Sequence, residues 1–593
     1  MRRIGLVLLG IGLLFVVALV AVAAYRINNT RASLDNARSS LQSIENNSSE
    51  LLTQQGRTHA LNVLSQAATE SANAVSQNNS TAVSMLAKVP FLGPQVRGIN
   101  NLANDVHTLS VESIGLLNDV NSLTEASRGT TVSLPQLAAL QANVQKVAAS
   151  FTLMERSSGG LIDPIGSGRN QFNADLNKIV TKLNNGDQIL SYMSTFLGSQ
   201  GPRTYLLATE NQAEMRDQGS VLSVAQIHAN NGNLSLDTPV DIGAYTLKTP
   251  VDYPIPPGTQ AVFGIDQPTL LWQSANVTAD FPWTGGDLLA MYRQATGISD
   301  DGVVAVDVHA LAGLLSISGP VHVPGIPGQV TADNAESLLL DQLYQQYPKG
   351  SQTARKDELA AVATATINKI SSEHVDLAAL AHVLADEVAG RHLLLYDIQP
   401  SLQTILTQYG ASGAVDTTDP THSFHLAVEN ATATKLDYFT ATAIRQRVVV
   451  LPSGAADVFT TVTVTNHAPS GHAPSYQLGP DNFASHVSGQ YIGIAYFWGP
   501  AGSVQVNSTA ESGLRVSSAN LNILAGHHQT VTFSTVIPRA VVNGAIQLHW
   551  IPQPTFRPQK LAITVAGQGI TVGGPTIKRT KLTRSLTWTW PAG

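Results

Sequence analysis

The sequence predicts an α+β multidomain protein. It reads as an N-terminal transmembrane helix, a helical stalk or bundle, an α/β core and a C-terminal β-sandwich. Three observations carry this reading: one long uncharged apolar run, a following stretch with helical periodicity, and a final third in which short strand patterns alternate with turns. The boundaries fall at 1–25, 26–200, 201–410 and 411–593.

The apolar run extends from Ile4 to Ala24 with no charged residue inside it. At ~1.5 Å per residue such a helix spans roughly 30 Å, the thickness of a bilayer's hydrocarbon core. Arg2 and Arg3 precede it, which favours a cytoplasmic N-terminus and an extracytoplasmic bulk. A cleaved signal peptide is the alternative, with Ala21-Val22-Ala23 as a small-residue site, although its apolar core usually has only ~7–15 residues. The expectation is a single-pass cell-membrane protein whose first partner is the lipid bilayer.

From Thr30 to about Leu197 the pattern is helical. Leu102, Val106, Leu109, Ser113, Leu116, Val120 and Leu123 recur at spacings of three and four, the seam of a coiled coil or bundle. Pro90-Phe91-Leu92-Gly93-Pro94 reads as a turn between helices. Past Ser199-Gln200-Gly201-Pro202 the character changes. Thr204 to Thr209 and Val221 to Ile227 read as strands, Gly286 to Ala295 as a helix, and Gly302 to Val306 as a buried strand. Helices are expected over His309 to Ser316, Ala332 to Tyr347, Ala354 to Ser371 and Leu377 to Leu394, with a strand at Val321 to Val323. Strands alternating with helices indicate an α/β domain. After about Gly410 only strand-like segments remain, among them 440–451, 457–465, 491–497, 530–537, 545–550 and 561–565. Seven or more such strands separated by Gly, Pro and Asn turns make a sandwich.

Composition narrows the chemistry. The chain has no Cys, so disulfides, thiolate catalysis and Cys-type zinc sites are excluded together. A net charge of −7 with no long basic stripe argues against a nucleic-acid partner. No GxSxG elbow, Walker loop, HExxH or Rossmann fingerprint occurs, which argues against the common lipases, NTPases, zinc proteases and dehydrogenases. Whether the chain is an enzyme at all stays open on these residues.

Three polar clusters remain. Glu214, Arg216 and Asp217 lie in the loop 211–219 between two strands, where Arg216 suits bidentate anion binding; a solvated turn with internal pairing is the alternative. Arg355 and Lys356 open a helix whose N-terminal N–H groups suit an anion such as phosphate or pyrophosphate, against an ordinary charged helix start. Asp301 and Asp307, with Asp300 and His309, are the residues a divalent cation would use, and no other cofactor is indicated; the preferred reading of Asp307 is a cap on the helix His309 to Ser316.

These segments resemble a bacterial family, the domain of unknown function 4012. The resemblance rests on Asn211-x-x-Glu214-x-Arg216, Asp280-Phe281-Pro282, the run Asp301 to Asp307, Gly319-Pro320-Val321, Arg391 to Tyr396, Lys435-Leu436-Asp437-Tyr438 and Ala525-Gly526-His527. Gln218-Gly219-Ser220-Val221 stands where members carry a Gly-Gly-Phe-like stretch. The segment Asp301 to Val323 more weakly resembles the LytR–CpsA–Psr family, extracytoplasmic single-span proteins that transfer polyprenyl-pyrophosphate-linked glycopolymers to peptidoglycan. That resemblance implies a pyrophosphate held by Arg216-Asp217 and Arg355, with Glu358 where a second Arg is expected. It leaves two expectations. The protein binds or organises a surface glycopolymer or a partner, or it is a phosphotransferase acting on a lipid-linked glycopolymer. Near the C-terminus, Leu586, Trp588 and Trp590 share one face of a strand, just after Lys578, Arg579, Lys581 and Arg584. That segment either closes the sandwich core or presents an aromatic and basic surface to an anionic cell-wall polymer or exopolysaccharide.

Overall fold

A computed structural model describes residues 53–78, 92–163, 165–346, 352–372, 376–417, 421–480, 486–574 and 577–593. The expected anchor from Ile4 to Ala24 lies outside them. No helix among the described residues is long and apolar enough to cross a membrane. The architecture is mixed α+β in several layers, with a helical bundle, a helix-flanked sheet and a two-sheet sandwich in chain order.

Four helices form the bundle: α1 (Gln54–Asn78), α2 (Leu92–Ala126), α3 (Leu134–Thr152) and α4 (Ile165–Phe196). All seven seam residues of α2, from Leu102 to Leu123, are buried. The six apolar ones pack with Leu140, Val144 and Phe151 of α3 and Phe172, Leu176 and Ile179 of α4. The 3/4 spacing therefore marks the core stripe of a bundle helix. Leu92, Gly93 and Pro94 start α2 where a turn was expected. Pro is compatible with a first helical turn because its missing N–H has no partner there anyway. Arg169 of α4 is buried and ion-pairs Asp105 of α2 at 2.5 Å.

The bundle is fastened to the central domain. Arg57 donates to Asp376 at 2.9 Å, and Asp376 caps a helix of that domain. The chain leaves α4 through Gly198, which has φ 76° and would place a Cβ 2.6 Å from the Ala229 carbonyl. Only glycine fits both constraints.

The central sheet runs β3-β2-β1-β5-β6, with β4 also on β2. Its strands are β1 (Arg203–Asn211), β2 (Ser220–Asn230), β3 (Asn233–Leu236), β4 (Val240–Asp241), β5 (Gly302–Asp307) and β6 (Leu393–Asp397). Only β1 and β5 pair in parallel; the other pairs are antiparallel. One face packs on α5 (Phe281–Thr296). The other faces α4, α8 (Leu377–Gly390) and α9 (Pro400–Gln408). Between α5 and α8 lie α6 (Val308–Ser318), a composite helix over 335–346 with a π-turn at Leu338–Gln342, and α7 (Gln352–Ser372).

Two local expectations differ from the structure. The helix expected over Leu377 to Leu394 ends at Gly390, where Arg391 turns left-handed at φ 67°, and the apolar run continues as β6. A short run that is buried on every side gives no period to separate helix from strand. Val321 to Val323 contributes only an isolated bridge to Val330.

The remaining strands form the sandwich. One sheet runs β12 (Thr509–Glu511), β13 (Leu514–Ile523), β10 (Tyr491–Gly499), β7 (His422–Asn430), β16 (Ala545–Ile551) and β15 (Val541–Val542), with β19 (Leu586–Pro591) also on β16. The other runs β11 (Val504–Gln505), β14 (His528–Ile537), β9 (Ala456–Asn466), β8 (Thr440–Val450), β17 (Lys560–Gly567) and β18 (Ile577–Lys581). Alternate residues of both sheets, including Phe424, Val462, Phe497, Trp550 and Ile563, meet in the core. The C-terminal segment is a strand of this sandwich, and Trp590 is 1% exposed.

Candidate functional site

The loop 212–219 links β1 to β2 and is buried almost throughout. It does not project into solvent. It inserts between the central sheet and the sandwich, and its polar groups meet partners from distant parts of the chain. Glu214 forms a buried ion pair with Lys435, whose ammonium lies 5.3 Å from the Tyr476 ring centroid. Burial works against the charge on Lys435, but Glu214 outweighs it and the ammonium is held well above its ordinary pKa.

Asp217 is fully buried and accepts from Arg391 Nη2 at 3.2 Å. It also meets His425 and the Gln218 amide. Arg391 in turn donates to the carbonyls of Gly413 at 3.0 Å and Ala279 at 2.9 Å. Arg216 turns its guanidinium onto the carbonyls of Asn430 at 2.8 Å and Met215 at 3.0 Å. The Met215 N–H donates to Asp437 at 3.1 Å. Asn430 and the Tyr491 hydroxyl each donate to the same carboxyl at 2.8 Å. Burial is the main reason that Asp437 is pushed up to about 7; its three donors act in the opposite direction.

The network continues to the end of β5. Asp307 accepts from the Ala310 N–H at 3.0 Å, so it caps α6. Its other oxygen stands 2.6 Å from His392 Nδ1 and accepts from Gln212 at 2.7 Å. Glu210 beside it is pushed up to about 8, first by burial and then by the Asp307 charge. The His309 ring lies 4.1 Å from that of His392, tilted by 31°, and its Nδ1 stands 3.0 Å from Glu336. Burial opposes its charge, yet Glu336 and Glu387 raise it to about 9.

The sequence-predicted residues therefore divide. Glu214, Arg216 and Asp217 come together in one junction with Asp307, Arg391, His392, Lys435 and Asp437, and each has internal partners. Asp301 sits at the opposite end of β5, accepting from the Thr204 N–H at 2.9 Å. A strand of that length separates Asp301 from Asp307 by roughly 20 Å, so they cannot share one ion. Among the described residues no group of three or more His, Cys, Asp or Glu side chains is arranged to hold a metal. Arg355 and Lys356 fall in the first turn or so of α7, and their side chains lie outside the described residues. His425 was not singled out from sequence; a lone His inside a strand gives no local signal.

A second feature has no local signature either. A cavity of about 580 Å³ lies between the central sheet and the helices on its bundle side. Leu207, Val304 and Val306 of the sheet, Tyr192 of α4, and Leu384 and Val388 of α8 are among its lining residues. Its few polar groups include Thr209, Glu210, Asn211 and Asp307, at the C-terminal ends of β1 and β5. This is an apolar chamber with a polar end, of the ~300–1,000 Å³ typical of small-molecule sites.

Similarity to known proteins is concentrated in the same region. No curated protein and no solved structure matches the chain. A family model described as Protein of unknown function (DUF4012) matches residues 200–344, which hold the junction loop, Asp280 and Asp307. The likeness to the DUF4012 family is therefore carried by the central-sheet domain.

Proposed function

We propose that this is a single-span, extracytoplasmic cell-envelope protein that binds a lipid-linked surface glycopolymer, with the lipid's hydrocarbon chain in the cavity beneath the central sheet. The observation that carries the reading is that cavity of about 580 Å³ and its apolar lining. An apolar space of this size leaves the side chains that line it without dispersion contacts on one side. A hydrocarbon chain restores those contacts, and its headgroup would meet the polar end at Glu210 and Asn211. The uncharged run from Ile4 to Ala24 supports a place at the membrane, where such lipids reside. The ion pairs that occupy Glu214 and Asp217 favour binding over phosphoryl transfer at that loop.

The test is native mass spectrometry of the full chain in detergent, with a C55 polyprenyl phosphate and a C16 fatty acid as probes. One chain is expected to retain one lipid. Ala381→Phe, which fills part of the cavity, should abolish retention while the melting temperature holds. No retained lipid, or retention unchanged in a folded variant, would refute the reading.

A further inference from the structure

On the outer face of the second sandwich sheet, side chains that point away from the core line up in cross-strand rows. Register places Lys581 of β18 opposite Lys560 of β17, and the row continues through Ala443, Thr463 and Thr530. The next row is Arg579, Ala562, Arg445, Thr461 and Thr532. The third is Ile577, Thr564, Arg447, Phe459 and Ser534. Lys560, Lys581, Arg579, Arg445 and Arg447 are all exposed. With strands ~4.8 Å apart and alternate residues ~7 Å apart, the five cations occupy a patch of roughly 10 by 14 Å. Beside them lies a field of hydroxyls, with Thr461 and Thr532 3.3 Å apart and Thr463 and Thr530 2.9 Å apart.

The arrangement works against the fold by itself. Like charges directly opposite on neighbouring strands destabilise a sheet, and Lys560 and Lys581 are such a pair. Among the described residues none of the five cations has an ion-pair partner. The nearest carboxylate in the adjoining row is Asp457 on β9, beyond Arg447. In a chain of net charge −7 with only 13% charged residues, five gathered cations stand out.

We propose that this face binds a linear anionic polysaccharide-type polymer, one with repeating phosphate or uronate groups. The cations take the anionic groups, Arg through paired N–H donors, and the threonine field takes sugar or polyol hydroxyls. A nucleic acid fits less well, because recognition of single strands uses exposed aromatic rings for stacking. In these rows the one ring, Phe459, is already covered by Arg447 at 4.3 Å. The proposal rests on the polymer-binding reading above for the class of partner. It uses a different surface from the cavity, so each can fail alone.

The test measures binding of the full chain in detergent, without lipid, to poly(glycerol phosphate) and to polygalacturonate, with dextran and single-stranded DNA as comparators. One or both acidic polymers should bind, dextran should not, and about 0.5 M salt, where the Debye length is ~4 Å, should release them. Arg445→Gln/Lys560→Gln/Arg579→Gln should weaken binding by roughly tenfold or more, with an unchanged or raised melting temperature. Lys581→Gln alone should weaken it in the same direction, and Lys146→Gln on the bundle should not. The proposal is overturned if neither acidic polymer binds, if dextran binds equally, or if these variants bind like the wild type. It is also overturned if DNA binds more tightly than both acidic polymers. Loss of lipid retention in Ala381→Phe with polymer binding intact would separate the two sites.

Discussion

Lys435 and Glu214 come from different domains, and their ion pair is buried at the junction, with side-chain exposures of 2% and 6%. Lys435→Met keeps much of the stem and removes the charge, leaving the Glu214 carboxylate buried without its cation. Breaking a buried pair from one side costs ~3–5 kcal/mol. The lost contact with the Tyr476 ring adds to the upper part of that range. Replacing both members by apolar residues of similar volume removes the orphaned charge, so Lys435→Met/Glu214→Met should recover to within ~2 kcal/mol of wild type. A chain with several domains need not unfold in one step, so a global melting curve is not enough. Hydrogen exchange of the Met215 and Asn430 amides reads the junction directly, since the first donates to Asp437 and the second to the Met215 carbonyl. The single variant should speed their exchange by two orders of magnitude or more, about 3 kcal/mol of local opening, and the double variant should largely restore it. Exchange in Lys435→Met within about fivefold of wild type, or a double variant no slower than the single, would refute the view of this loop as a clamp.

Glu210 supplies a pH test. Its folded pKa of about 8 lies above the ordinary carboxylic value of 4.5, so its proton favours the folded state. That contribution is full below about pH 4.5 and is lost as pH rises towards about 8. Glu210→Gln, which keeps an acceptor for Asn276, should therefore gain stability relative to wild type between pH 5 and pH 8; urea midpoints at several pH values check this, and a pH-independent difference would contradict it. Trp590 seals the sandwich from an edge strand, and Trp590→Ala should cost ~3–5 kcal/mol in the sandwich's unfolding transition. Deleting the residues after Arg584 should lower that transition at least as far, and an unchanged midpoint would return the tail to the role of a ligand surface.

The bundle and most strands were legible because each depends on a local period. The α2 seam is a 3/4 repeat, and Leu586, Trp588 and Trp590 form a 2-repeat whose inward face is now visible. The junction was not legible in the same way. Nothing near Glu214 in sequence indicates that its partner is Lys435, 221 residues away, or that Asp217 meets His425 across 208. A charged loop reads as solvated until its long-range partners are known. The cavity escaped for a related reason: its lining comes from many segments, and each apolar residue resembles ordinary core.

The basic segment near the C-terminus shows how register changes a compositional reading. Lys578, Arg579, Lys581 and Arg584 form one cluster in sequence, yet strand alternation sends Lys578 to the opposite side of β18 from Arg579 and Lys581. Arg584 falls beyond the strand. The face gains instead Lys560 from β17 and Arg445 and Arg447 from β8, cations that sequence distance kept apart. The same folding step that neutralises the loop charges by pairing them inside gathers these five outside without partners. Charge that pairs internally holds domains together. Charge that the fold collects and leaves exposed is available to a ligand, so the site loop and the sheet face call for opposite experiments: stability for the first, salt-sensitive binding for the second.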